Sequence, residues 1–203
     1  MTLGQRFARG VTVAVVRVPA LWRILRRPLT RNFDRLAPEW DVLRVDPARL
    51  TAIGAALDAV DPAPARVLDL GTGSGAAARL SSARWPDAVV TGADVSTGMI
   101  AEATRLADSP NQRYQVADAS ALPFADGSFD LVTMNNMIPF FDEVARVTAP
   151  GGLVAIAYAR GARTPIYVPL DRIRASLERR GFTHVANFEV SGGGLALLAR
   201  KQP

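Results

Sequence analysis

The 203-residue chain contains no cysteine, one histidine and one lysine. The lack of cysteine excludes a disulfide-stapled scaffold and a cysteine-ligated zinc or iron–sulfur site. A single histidine argues against a histidine-based metal site, so no metal is expected. The N-terminal segment also lacks the roughly 20 uninterrupted apolar residues that span a bilayer, because Arg17 and Arg23 interrupt it. These arginines argue against a secretory signal, and we predict a cytoplasmic protein.

The composition is that of a folded chain with an uneven charge. Hydrophobic residues make up 49% of the sequence, which supplies the core of one domain and excludes a disordered chain. Residues 1–35 hold eight arginines and one acid, a net charge of +7, whereas the rest of the chain has a net charge of −2. Because the excess positive charge lies outside the body, no nucleic-acid partner is predicted.

The basic N-terminal arm has helical periodicity. An apolar stripe at spacings of three and four comprises Phe7, Val11, Ala14, Val18, Leu21 and Leu25, with Val15 and Trp22 beside it. Arginines lie opposite, and Pro19 is expected to divide the arm into two helices. Three alternatives stay open: residues 5–27 lie on an anionic membrane surface, the stripe packs on the body or on a second subunit of a homo-oligomer, or the arm is disordered.

The body alternates short apolar runs with helical stretches. Strands are predicted at Arg66–Leu70, Ala88–Ala93, Gln112–Val116, Phe129–Met134, Leu153–Tyr158, Thr183–Val190 and Leu195–Arg200. Helices are predicted at Ser74–Arg84, Ser96–Ala107, Phe141–Val147 and Leu170–Arg180. This alternation indicates an α/β doubly wound parallel sheet, and the glycines at 192–194 indicate a closing antiparallel hairpin. We divide the chain into a helical arm and lid segment, residues 1–60, and a ligand-binding domain, residues 61–203.

An acid stands at the end of each of the first three strands. Asp69 precedes the glycine-rich turn of residues 71–75, Asp94 ends the second strand, and Asp118 follows the third. Ligands of such sheets lie at these strand ends. An acid beside the turn disfavours a pyrophosphate and suits a cationic ligand, while Asp94 is placed to accept hydrogen bonds from a ribose diol. Asp69 and Asp94 could also simply cap the helices that follow them.

With the later Leu122-Pro-Phe124, Ser128–Val132 and Ala149–Gly152 segments, the series resembles the class I S-adenosylmethionine (SAM) dependent methyltransferases over residues 60–200. It is most similar to the group that includes the ubiquinone/menaquinone-biosynthesis enzymes. The resemblance implies a Rossmann-like seven-stranded sheet of order 3-2-1-4-5-7-6 with an antiparallel last strand. It also implies SAM as cofactor and a small-molecule or lipid-like methyl acceptor.

The resemblance assigns cofactor contacts by position. They fall on Asp69, Gly71, Thr72, Gly73, Gly75, Asp94, Val95, Met99, Asp118, Ala119 and Asn135. In this assignment the turn lines the methionine end, Asp94 holds the ribose hydroxyls, Asp118 faces the adenine amino group, and Asn135 lies between cofactor and substrate. Met99 could equally belong to the core.

The chain departs from the family pattern after the fourth strand. The stretch between Asn135 and Pro150 is short and lacks a histidine, so a non-catalytic SAM- or nucleoside-binding protein is an alternative. An NAD(P) oxidoreductase is a weaker alternative. Asp69 disfavours the pyrophosphate of a dinucleotide, and the sole lysine, Lys201, is not part of a Ser…Tyr-x-x-x-Lys proton-donor set. Candidate lids are Phe33–Trp40 and Tyr158–Pro169.

No catalytic base is assigned from the sequence. Asp142, Tyr158 and Tyr167 are candidates for contact with the acceptor. His184, at the start of a strand, is expected to be structural.

Overall fold

The computed structural model describes residues 3–37 and 48–203. Its strands are β1 Arg66–Leu70, β2 Val89–Asp94, β3 Gln112–Val116, β4 Phe129–Asn135, β5 Thr148–Tyr158, β6 Phe182–Val190 and β7 Gly194–Lys201. They form one sheet in the order β3-β2-β1-β4-β5-β7-β6, with β7 antiparallel to both neighbours. The predicted fold and strand order are confirmed. Strand order reverses between β1 and β4, where ligand sites of such sheets lie.

Helices cover both faces of the sheet. They are α1 Leu3–Arg17, α2 Trp22–Leu36, α3 Ala48–Asp58, α4 Ala76–Arg84, α5 Thr97–Arg105, α6 Phe141–Val147 and α7 Leu170–Glu178, with short 3-10 turns at Pro19–Leu21 and Gly161–Arg163. Neighbouring residues of β1 enter opposite core clusters, Leu68 with helices α6 and α7 and Val67 with α3 and α4. This two-sided burial explains the continuous apolar strands.

Helix α3 lies within residues 1–60, the predicted arm and lid segment. In the structure it packs against β5, β6 and β7 through Ala52, Ile53, Ala56 and Leu57, all of them buried. These four residues have the i, i+3, i+4 spacing of a helix face. Two of the four are alanines, so the apolar pattern is weak in the sequence.

The N-terminal arm packs on the body. Its apolar residues Val11, Val15 and Trp22 are buried together with Ile138 and Phe140, which follow β4. Pro19 begins the 3-10 turn that separates α1 from α2, as predicted. In residues 3–37 and 48–203, no helix combines the length and apolarity needed to cross a bilayer.

Candidate active site

A cavity of about 840 Å³ lies at the carboxyl ends of the central strands. Its wall includes Asp69 near the end of β1 and Gly71 just after it, Asp94 at the end of β2, Ala119 beyond β3 and Asn135 at the end of β4. Nine of the eleven predicted cofactor residues line it, namely Asp69, Gly71, Thr72, Gly73, Asp94, Val95, Met99, Ala119 and Asn135. Gly75 and Asp118 are not part of this wall.

The glycine-rich turn is held in a conformation that needs glycine. Gly71, Gly73 and Gly75 have φ values of 64°, 55° and 85°, in the left-handed region. A Cβ on Gly71 would stand 2.8 Å from Cγ and Sδ of Met137, so this glycine also permits a close approach across the cavity. Gly75 instead precedes α4 and packs against Tyr114, which explains its place outside the wall.

Asp94 joins the turn to the second strand. Its Oδ2 accepts a hydrogen bond of 3.0 Å from the Gly73 N–H, and its Oδ1 accepts one of 2.9 Å from the Ser96 N–H. Burial raises the pKa of Asp94 above its ordinary value, although these backbone hydrogen bonds favour the carboxylate. The carboxylate is therefore fixed in orientation on the cavity wall.

Asp69 lies deeper than Asp94 and is only 1% exposed. One carboxylate oxygen accepts a hydrogen bond of 2.7 Å from the Thr72 hydroxyl, and the other accepts one of 2.8 Å from Thr133. Burial raises the pKa of Asp69 to about 6, against the effect of the two threonines. Asp69 therefore contributes to the cavity mainly through its negative charge and through its hydrogen bond with Thr72 of the turn.

Asp118 faces the arm rather than the cavity. Its Oδ1 accepts hydrogen bonds from the Trp22 indole N–H at 2.8 Å and from the backbone N–H and hydroxyl of Ser120, while Oδ2 pairs with Arg26. Burial would raise the pKa of Asp118, but these hydrogen bonds outweigh it and hold the pKa below its usual value. The side chain predicted to face adenine thus binds the arm, a partner 96 residues away along the chain.

Two consecutive asparagines on the cavity wall stand where β4 ends. Asn135 donates a hydrogen bond of 3.3 Å to the Arg49 carbonyl, and its buried Oδ1 has no partner among the described residues. Asn136 has a φ of 58° and accepts a hydrogen bond from the Ala159 N–H through its side chain. Left-handed non-glycine residues of this kind concentrate at functional sites, and no sequence motif pointed to Asn136.

Much of the remaining cavity wall is apolar, and part of it comes from the arm. Its side chains include Phe7, Trp22, Leu29, Phe33, Leu50, Ile138, Phe140, Pro165 and Ile166. Both predicted lid segments contribute: Phe33 from the first, whose residues 38–40 lie outside the described residues, and Thr164–Ile166 from the second. Arg9 joins arm to loop by donating to the carbonyls of Ala162 and Thr164 at 2.7 and 2.9 Å.

The candidate acceptor residues are not among the described residues that line the cavity. Asp142 pairs with Arg180 on the surface. Tyr158 is fully buried in the core, because β5 is a central strand, and Tyr167 packs edge-on against it beneath Arg9. His184 lies in β6 beside Asn187, away from the cavity. Among the described lining residues, the only carboxylates are Asp69 and Asp94, and no group of acids and histidines in the described chain could hold a metal.

The residues present fit a SAM molecule. The unpartnered Asn135 Oδ1 supplies a buried acceptor for an amino group. Asp94 stands about 20 residues after the turn, where a ribose diol is bound in related sheets. Val95 and Met99 offer apolar contacts beside it for a flat base.

The chain is similar to known methyltransferases. A family model described as a methyltransferase domain matches residues 67–152. The demethylmenaquinone methyltransferase of Thermus thermophilus is 40% identical over 141 residues, which cover 61% of this chain and 62% of that protein. The malonyl-[acyl-carrier protein] O-methyltransferase of Geobacter sulfurreducens is 32% identical over 195 residues, covering 81% of this chain and 73% of that protein. The crystal structure of a SAM-dependent methyltransferase from Aquifex aeolicus has a TM-score of 0.65 at 19% identity, over 84% of this chain and 97% of that one.

The chain belongs to the class I SAM-dependent methyltransferases, whose cofactor is SAM. Within this class, relatives named for menaquinone and ubiquinone biosynthesis place it in the ubiquinone/menaquinone-like group. The predicted family is thereby confirmed. The match spans less than two thirds of the Thermus relative's length.

Proposed function

We propose that the chain transfers the methyl group of SAM to a small, apolar, lipid-like acceptor. The observation that carries the proposal is one cavity wall that combines two sets of residues. The polar set comprises Asp69, the glycine turn, Asp94 and Asn135, and the apolar set comprises aromatic and aliphatic side chains. A volume of about 840 Å³ is near the upper end of the roughly 300–1,000 Å³ of small-molecule sites. This supports two molecules bound side by side.

In this proposal the polar set of lining residues orients the cofactor. Asp94 accepts hydrogen bonds from the ribose hydroxyls, and Asn135 Oδ1 accepts one from the amino group of the methionine part. The charge of Asp69, which is buried beneath the glycine turn, favours a cationic ligand. Bound SAM supplies an activated methyl group on a sulfonium, so the protein need only align the acceptor and exclude water.

The apolar set of lining residues favours an acceptor that does not require a general base. Apart from Asp69 and Asp94, the described lining of the cavity contains no histidine, lysine, tyrosine, aspartate or glutamate that could serve as a general base. An electron-rich ring such as a hydroquinone is nucleophilic without such a base and suits aromatic walls. The Thermus relative's name, demethylmenaquinone methyltransferase, agrees with this class of acceptor.

Two measurements test the proposal. Calorimetric titration is expected to show micromolar binding of SAM and S-adenosylhomocysteine and none of NADH. The Asp94→Ala variant should bind SAM at least tenfold more weakly, because the ribose loses two hydrogen bonds of about 1 kcal/mol or more each. Unchanged affinity would contradict the role of Asp94.

Radiolabelled methyl transfer then tests the acceptor. A prenylated naphthohydroquinone is expected to be labelled, with trans-aconitate, a polar acceptor named in a relative, as the control. SAM binding with no transfer to any apolar acceptor would favour the non-catalytic alternative. Labelling of trans-aconitate alone would overturn the assignment of an apolar acceptor.

A further inference from the structure

The arm retains an exposed apolar and basic surface after its inner face has packed on the body. This outer surface is defined by Arg17, Val18, Pro19, Ala20, Arg23, Ile24 and Arg27, at the bend between α1 and α2, and all seven residues are exposed. Ile24 is 73% exposed and Val18 is 49% exposed. Val18 comes from the apolar stripe predicted from the sequence, whereas Val11 of that stripe and the adjacent Val15 and Trp22 are buried.

Exposed apolar side chains are concentrated in the arm. Six large apolar residues are exposed in the described chain, namely Phe7, Val13, Val18, Ile24, Val116 and Val185. Four of the six lie in α1, α2 or their connection, although the arm is a small part of the chain. These side chains of the arm therefore face solvent, although neighbouring apolar residues of the same helices are buried against the body.

The arginines of the outer surface are available for an external partner. Arg17, Arg23 and Arg27 make no ion pair with any described residue, whereas Arg26, one position away, pairs with Asp118. The arm therefore carries positive charge that the acids of the body do not neutralise. Its complement is an anionic surface.

We propose that the outer surface of the arm docks on an anionic lipid bilayer. Val18 and Ile24 would enter the interfacial region while the three arginines contact lipid phosphates. An RNA partner would engage the arginines but leave both aliphatic side chains without an apolar environment, so the lipid surface accounts for more of what is observed. The inference goes beyond the proposed function and does not require methyl transfer.

The test compares two charge-matched variants of the full chain in vesicle cosedimentation. The arm variant carries Arg17→Glu, Arg23→Glu and Arg27→Glu. The body variant carries Arg113→Glu, Arg160→Glu and Arg172→Glu, which are exposed arginines without ion pairs to described residues. Both lose the same net charge. Deletion of the arm is unsuitable, because it would remove the buried Val11, Val15 and Trp22.

The wild-type chain is expected to bind phosphatidylcholine vesicles that contain phosphatidylglycerol and not vesicles of phosphatidylcholine alone. The arm variant should lose at least about tenfold in partitioning, while the body variant keeps most of it. A Val18→Ser/Ile24→Ser variant should also bind more weakly, which a purely electrostatic contact would not predict. Circular dichroism and thermal melting verify folding independently of SAM binding.

Three results would overturn the proposal. The first is no binding of the wild-type chain to anionic vesicles. The second is an equal loss in the arm and body variants, which would indicate a general charge effect. The third is arm-dependent binding of a single-stranded RNA that vesicles fail to displace. A chain that binds vesicles but no SAM would refute the proposed function and leave this inference intact.

Discussion

The hydrogen bond between Trp22 and Asp118 joins the arm to the third strand end, and it yields a quantitative prediction. Trp22 is 5% exposed, donates its indole N–H to Asp118 Oδ1 at 2.8 Å, and packs edge-on against Phe140 with ring centroids 5.3 Å apart. The Trp22→Phe substitution removes the donor and keeps an aromatic ring in the same place. The arm should then open more often from the cavity.

The structure indicates the size of the effect. Hydrogen bonds to charged groups contribute about 1.5–3 kcal/mol. Asp118 keeps the two donors of Ser120 and its pair with Arg26, so its carboxylate is not left without partners. We therefore expect the lower end of the range, about 1.5 kcal/mol, or roughly tenfold in the opening equilibrium of the arm.

Native-state hydrogen exchange of α1 and α2 measures this equilibrium. Because the smaller ring also leaves a void, a double-mutant cycle of Trp22→Phe with Asp118→Asn isolates the coupling between the two side chains. Trp85→Phe, at the distant end of α4, is the matched control and should leave exchange in the arm unchanged. Additive single effects in the cycle, or an equal response to Trp85→Phe, would refute the argument.

Two further predictions concern the glycine turn and the acid behind it. The raised pKa of Asp69, about 6, means that the folded state holds a proton more tightly than the unfolded chain, whose carboxyl titrates near 4. The contribution of Asp69 to the free energy of unfolding is therefore complete below about pH 4, and it decreases by roughly 2–3 kcal/mol as the pH rises past 6. Denaturant unfolding without SAM should show this decrease in the free energy of unfolding of the wild type. The prediction is contradicted if the free energy of unfolding of an Asp69→Asn variant falls as steeply with pH. Gly71→Ala and Gly151→Ala should each cost about 1–2 kcal/mol in thermal unfolding, because both glycines have positive φ. Only Gly71→Ala, whose Cβ would press on Met137, should weaken SAM binding in calorimetry, and an equal loss in both variants would count against a role of the turn in the site.

Local sequence patterns determined most of the sheet and its order of elements. The predicted bounds of β1, β3 and α6 match the structure, and Ser96 caps α5 by accepting the Met99 N–H. These features depend on residues close together in the chain: buried strands are continuous apolar runs, and a capping hydroxyl reaches only the next turn. The acids at the strand ends follow from the same local order, because parallel strands end at one edge.

Only the tertiary structure decided where the arm goes and which acids face the cavity. An amphipathic stripe has the same period on a membrane, on a partner or on its own body, so the burial of Val11 and Val15 could not be predicted from spacing. The turn of Asp118 towards Trp22, the burial of Tyr158 and the packing of α3 on the last strands depend on contacts between residues far apart in the chain. Such contacts leave no local pattern, because they exist only once the sheet has brought their partners together.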